Sequence, residues 1–129
     1  MTVFTKIIKG EIPKEFIYKD EDAVAFLDIN PLRLGHTLLI TKEPYTWMTD
    51  VPEELVGKMF IKAKRIMIAI KKALDCDYVE IIVMGKDVPH FHIHLIPRML
   101  IEEARVWDHQ KYESTEQEME YINKIKNNL

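Results

Sequence analysis

The segment Pro89-His90-Phe91-His92-Ile93-His94-Leu95-Ile96-Pro97-Arg98 carries a histidine at every second position from 90 to 94. In an extended strand successive side chains point to opposite faces. His90, His92 and His94 therefore share one face, about 7 Å apart along the strand. Phe91, Ile93 and Leu95 share the other. The apolar face can pack on a core while the imidazole row stays available. Two chemistries suit such a row. Three imidazoles could ligate a metal such as zinc. Or one could attack phosphorus while its neighbours donate hydrogen bonds to the phosphoryl oxygens. The bland alternative is a strand whose polar face happens to carry histidine. Three of the chain's five histidines lie in this row, which weighs against that alternative. His36 by itself would carry no such weight, and His109 reads as a surface residue.

The elements that must position the row are legible from periodicity. Phe4 to Lys9 reads as a short amphipathic helical turn, stopped by Gly10 and Pro13. Phe16 to Lys19 and Ala23 to Asp28 read as strands joined by the polar turn Asp20-Glu21-Asp22. Asn30-Pro31 breaks the second strand, and Gly35 precedes a third, His36 to Thr41. Asp50-Val51-Pro52-Glu53 offers an Asp cap, a first-turn proline and a glutamate three residues on. Leu55, Met59, Ala63, Ile66, Ile70 and Leu74 follow at helical spacing. Tyr78 to Met84 is an apolar, β-branched run that predicts a buried strand. Pro89 and Pro97 bracket the histidine strand, His90 to Ile96. Ser114 to Leu129 predicts a last helix, with Ser114 as cap, Gln117 in a capping box, and Met119, Ile122 and Ile125 on one face. Strands in groups with an antiparallel hairpin make the class α+β.

The histidine segment resembles the signature of the histidine triad (HIT) family, His-φ-His-φ-His-φ-φ with φ apolar. Upstream, Phe4-Thr5-Lys6-Ile7-Ile8-Lys9-Gly10-Glu11-Ile12-Pro13 resembles the family's opening. Ala25-Phe26-Leu27-Asp28-Ile29-Asn30-Pro31 and Gly35-His36-Thr37-Leu38-Leu39-Ile40 resemble its central strands. The resemblance covers residues 4–98 in order and implies a single domain over residues 1–129, with residues 114–129 as a helical tail. It implies a five-stranded antiparallel sheet carrying a long helix from Pro52 to Leu74. It also implies a homodimer through that helix and neighbouring strands, with Leu55, Met59 and Ile66 on one edge of the helix and Phe60 and Met67 broadening it.

The activity that the resemblance implies is a hydrolase or transferase acting on nucleoside 5′-phosphate conjugates. The leaving group would belong to a phosphoramidate, an acyl-nucleotide or a dinucleoside polyphosphate. His92 would attack the α-phosphate and form a nucleotidyl-histidine that water then cleaves. His94 would donate to the phosphate or leaving group, and His90 and His36 would support His92. A neutral imidazole suits attack near pH 7 because its unperturbed pKa lies close by. Asp28 reads locally as an Asx-type turn residue; by resemblance it accepts hydrogen bonds from both ribose hydroxyls. Phe4, Ile7, Phe26 and Ile29 would line the base pocket, a purine by family expectation. The alternative from a different class is a nucleotide-binding regulatory module with slow turnover.

Three departures from the family pattern stand out. The loop Val83-Met84-Gly85-Lys86-Asp87-Val88-Pro89 is shorter than in many members and lacks their Asn and Gln, so backbone N–H groups near Gly85, Lys86 and Asp87 are the candidate phosphate contacts. Asp87 stands where a hydroxyl often sits near the leaving group; it would repel phosphate or carry a proton to an amine. Thr2, Thr5 and Pro44 stand where some bacterial members have zinc ligands, so no metal or other cofactor is expected.

Composition closes off other classes. Apolar residues make up 47% and charged residues 30% of the 129, as in globular proteins. A formal net charge of -3 gives no bulk attraction to nucleic acid or to an anionic membrane. The N-terminal ten residues carry no signal-peptide pattern, and no stretch is long and apolar enough to span a bilayer. Cys76 is the single cysteine, which fits a reducing cytoplasm. It reads as a small residue between a helix and a strand.

Overall fold

The sheet is built outward from a hairpin. The Asp20 carboxylate accepts hydrogen bonds from the Asp22 and Ala23 N–H groups at 2.8 and 2.9 Å, an Asx turn that reverses the chain. It joins β1 (Tyr18–Lys19) to β2 (Ala23–Leu27), paired Tyr18↔Ala25. The computed structural model describes residues 1–103 and 107–129. Its remaining elements are α1 (Val3–Ile8), β3 (Thr37–Thr41), α2 (Glu53–Leu74), β4 (Tyr78–Val83), β5 (His92–Arg98) and α3 (Thr115–Lys126). The five strands form one antiparallel sheet in the order β1-β2-β3-β5-β4, so the class is α+β as expected. None of the described helices is long and apolar enough to cross a membrane.

Strand alternation divides the sheet into two differently covered faces. Ala25, Leu39, Ile93 and Leu95 point toward Met59, Ala63, Ile66 and Ile70 of α2, with Ile122 and Ile125 of α3 closing that core. These α2 positions recur at helical spacing and are all at most 1% exposed. Val24, Phe26, Leu38 and Ile40 point the other way and pack against Phe4 and Ile7 of α1. His92 pairs with Ile40 and His94 with Leu38, so the imidazoles share this second, α1-covered face. β5 is flanked by β3 and β4, which puts the row in the interior of the sheet rather than on a frayed edge.

Several boundaries differ from the sequence reading. β5 begins at His92, because the His90 N–H closes a turn on Val88 O and the Phe91 N–H bonds Tyr45 O, outside the ladder. It continues through Pro97, which lies past Leu95, the last residue paired with β3, where no partner needs its missing N–H. Asp50 does not cap α2. Val51 and Pro52 are extended (ψ 131° and 140°), so α2 starts at Glu53 without a side-chain cap. Asp50 instead closes the 3₁₀ turn Met48–Asp50 by accepting the Trp47 N–H at 3.3 Å. Ser114 does cap α3, its Oγ accepting the Gln117 N–H at 3.0 Å, and Gln117 reaches back to the Glu113 N–H.

β4 is an edge strand rather than a buried one, with Tyr78, Ile81 and Val83 about two-fifths exposed. An apolar run signals a strand, but its place in the sheet depends on partners elsewhere in the chain. Met59 and Ile66, expected on a subunit contact, are fully buried in the chain's own core, and Leu55, Phe60 and Met67 pack against it. The apolar side chains that α2 turns outward are Ile61 and Ile68. Cys76 is a free, buried thiol between α2 and β4.

Gly35 couples the packing to the row. Its φ of +97° lies in the region that disfavours a side chain, and an added Cβ would meet Leu74 Cδ1 at 2.3 Å. Its N–H donates to the Tyr112 hydroxyl at 2.9 Å. Gly35→Ala is expected to cost about 1–3 kcal/mol. Urea unfolding measures this; an unchanged midpoint would show that Leu74 and the backbone yield freely.

Candidate active site

Each imidazole of the row has a distinct hydrogen-bond partner, and together these partners fix where the protons sit. His90 is fully buried, and its Nε2 lies 2.7 Å from Thr41 O. A carbonyl only accepts, so His90 carries its proton on Nε2. Its Nδ1 has no partner among the described residues. His92 Nδ1 lies 2.6 Å from His90 O, so that proton sits on Nδ1 and the Nε2 lone pair is uncommitted. The edge of Phe4 meets the His92 ring at a centroid separation of 4.9 Å and 85°, a packing that holds the ring upright.

A second chain of hydrogen bonds orients His94. The Leu32 N–H donates to His36 Nδ1 at 3.1 Å, which places the His36 proton on Nε2. His36 Nε2 lies 2.9 Å from His94 Nδ1 and 3.5 Å from Asp28 Oδ2. His94 must then accept at Nδ1 and carry its own proton on Nε2. His36 thus supports His94, not His92. Asp28 Oδ1 accepts the Asn30 N–H at 2.9 Å, the Asx turn read from sequence, and its Oδ2 stands 4.0 Å from His94 Nδ1.

Burial keeps the row uncharged. It pushes His36 down to about 3, helped by the neighbouring imidazoles, and His94 down to about 4, with His92 adding to the effect. Burial also lowers His90 and His92; at His92 the hydrogen bond to His90 O and the Asp28 and Asp87 charges oppose it. The Asp28 carboxyl moves up, again through burial, although Asn30, Lys14 and His109 pull it back.

A cleft of about 580 Å³ opens over this face. Of the residues singled out in the sequence, His92, His94, His36, Asp28, Phe4, Ile7, Phe26, Ile29 and Asp87 all line it. Ile29 is 85% exposed, so it stands at the rim rather than in a pocket wall. His90 does not line the cleft; it lies beneath His92 and acts through its carbonyl. Lys14, Trp107 and His109 also line the cleft and were missed. Lys14 sits over the Phe26 ring at 5.5 Å. His109 is exposed, as read, but its Nδ1–H donates to Asn30 O at 2.9 Å, which carries it to the site. No periodic or motif signal marks Trp107 and His109, because contacts distant in sequence place them.

Asp28, His36 and His94 bring potential metal-ligand atoms within 4.8 Å of one another. The geometry argues against a cation there. Ligation through His36 Nε2 would need the proton moved to Nδ1, where it would face the Leu32 N–H.

His92 and His94 in the middle of an antiparallel sheet open on one cleft beside a carboxylate, with His90 buried behind them, and form a histidine-triad arrangement. The HIT domain matches residues 9–100, and the chain belongs to that family. An uncharacterized HIT-like protein of Methanocaldococcus jannaschii is 41% identical over 103 residues, covering 76% of this chain and 79% of its own. Adenylylsulfatase HINT3 of Arabidopsis thaliana is 40% identical over 101 residues, covering 74% of this chain but only 51% of that protein. A Hit-like protein of Bartonella henselae involved in cell-cycle regulation superposes with a TM-score of 0.86 at 32% identity, covering 99% of this chain and 96% of that one.

The lowered imidazole pKa values link stability to pH. The unfolded chain protonates each histidine near pH 6.5, whereas folded His94 and His36 resist until about 4 and 3. Between these limits the unfolded state binds more protons, so stability falls as pH drops below 6.5. The urea midpoint is expected to be lower at pH 5 than at pH 7, with a shallower dependence in His36→Gln. Equal slopes would remove His36 from this linkage.

Proposed function

We propose that the protein hydrolyses a nucleoside 5′-phosphate conjugate through a covalent nucleotidyl-histidine at His92. The observation that carries this reading is the His92 Nδ1–H bond to His90 O, which leaves Nε2 as an unprotonated nucleophile in the cleft. Nε2 attacks the α-phosphorus, forming a P–N bond as the bond to the leaving group breaks. Water then attacks the same phosphorus, releasing the nucleoside monophosphate and restoring the imidazole. His94 carries its proton on Nε2 and donates to a phosphoryl oxygen or to the leaving group. Asp28 receives the ribose hydroxyls, and Phe4, Ile7, Phe26 and Ile29 receive the base. Asp87, whose charge is felt at His92 and His94, stands on the phosphate side.

The resemblance to adenylylsulfatase HINT3 supports a nucleotide hydrolase. The neutral row supports it too, because a depressed His92 pKa keeps the nucleophile unprotonated at pH 7. The chemistry needs no metal, and the His36 tautomer places a proton, not a lone pair, on the Nε2 that faces Asp28 and His94. The lone, buried Cys76, with no internal disulfide to form, fits action in the cytoplasm.

The same reading includes a homodimer. β4 offers an unpaired strand edge bearing Tyr78, Ile81 and Val83, and α2 exposes Ile61 and Ile68. Such an edge is a template for strand pairing between copies. Sedimentation at micromolar concentration is expected to give a dimer, and a monomer would remove this part.

The catalytic test is direct. An α-phosphate label from an adenosine or guanosine phosphoramidate should appear, acid-labile, on His92 alone. His92→Ala should abolish turnover, and His94→Ala should slow it by about 100- to 1,000-fold. Near-native kcat in His92→Ala, with no labelled adduct, would replace the enzyme by a nucleotide-binding regulatory module, provided nucleotide still binds.

A further inference from the structure

The chain beyond β5 returns to the mouth of the cleft and is tied down there. The His109 Nδ1–H donates to Asn30 O at 2.9 Å, and the Gln110 N–H to Pro31 O at 2.8 Å. The Leu34 N–H donates to Gln110 Oε1 at 2.7 Å, and the Gly35 N–H to the Tyr112 hydroxyl at 2.9 Å. Arg33 reaches Asp108 O at 3.3 Å. These five bonds run along residues 30–35, the loop with Asp28 just before it and His36 just after it. The segment is therefore fixed relative to both site residues. Asn30, which accepts the His109 bond, donates its own N–H to Asp28 Oδ1 at 2.9 Å, which places this segment at the carboxylate end of the cleft.

Two residues before His109, Trp107 lines the same cleft as Phe4, Phe26 and Asp28 and remains 47% exposed. A large aromatic face left in water at the rim of a cleft contributes little to the core. It is well suited to stack on a planar ligand, since every nucleobase has a π-face and the contact tolerates base identity. We propose that Trp107 is a nucleotide-binding residue: its indole stacks on the base of a nucleotide whose ribose is held at Asp28, in the same chain. His109 is the positioning residue, anchoring the segment to Asn30. This rests on the reading of Asp28 as the ribose end.

The test uses the full-length protein with Trp47, the other indole, replaced in Trp47→Phe, so that fluorescence reports Trp107 alone. AMP should quench that signal saturably, and ribose 5-phosphate, which lacks the base, should not. Trp107→Ala should weaken AMP binding by about 10-fold by calorimetry while leaving ribose 5-phosphate affinity unchanged. Trp107→Phe should recover most of the loss. Trp107 is half-exposed, so the fold is expected to persist, as circular dichroism would verify. AMP binding that neither quenches Trp107 nor weakens in Trp107→Ala overturns the stacking role and leaves the His92 reading standing. Equal loss of AMP and ribose 5-phosphate affinity also overturns it, because it makes Trp107 a structural brace. No AMP binding by the unsubstituted protein removes this inference together with the nucleotide reading of the site.

Discussion

The hydrogen bond from the Leu32 N–H to His36 Nδ1 sets the chemistry of half the site. A backbone N–H cannot change role, so it holds one tautomer wherever the loop is folded. His36 then donates through Nε2, His94 accepts through Nδ1, and His94 is left as a donor. The His90 carbonyl does the reverse for His92, drawing its proton to Nδ1 and leaving a lone pair on Nε2. Two imidazoles on one strand face thus carry their protons on opposite ring nitrogens, His92 on Nδ1 and His94 on Nε2. Their different partners make the difference, a backbone carbonyl at His92 and the His36 imidazole at His94.

Keeping such groups neutral requires that they be dry. The sheet supplies much of this, with α2 and α3 covering one face and α1 covering part of the other beside the cleft. Phe4 serves two ends at once. It packs on Phe26 in the smaller apolar cluster, and its ring edge meets His90 and His92. The desolvation that excludes protons from the row is the same burial that stabilises this face. The low imidazole pKa values and the stability expected to be lost in acid therefore share one physical origin.

The loop from Asp28 to His36 is the other point of convergence. It carries the carboxylate and a supporting imidazole, contains Gly35 in a left-handed conformation, and is braced by a segment far along the chain. The loop is further held by hydrogen bonds to the returning tail. Binding groups on a loop need such a scaffold to be preorganised.

Much of this was legible in the linear order of residues, for a local reason. Strand alternation put His92 and His94 opposite Ile93 and Leu95, although His90 fell in the turn before the strand, and helical spacing marked Met59, Ala63, Ile66 and Ile70. Both periods follow from the backbone geometry of a single element. Asp28 was legible as a turn residue, and its proposed role came from the surrounding motif. Tertiary structure alone decided what depends on distant partners. It placed the apolar β4 run at a sheet edge, moved Asp50 from α2 to the preceding turn, and seated His36 on His94. It also brought His109 to Asn30, 79 residues away in sequence, and with it Trp107 to the cleft. Such contacts leave no period in the sequence, because loop closure joins residues whose own neighbours carry no trace of the pairing.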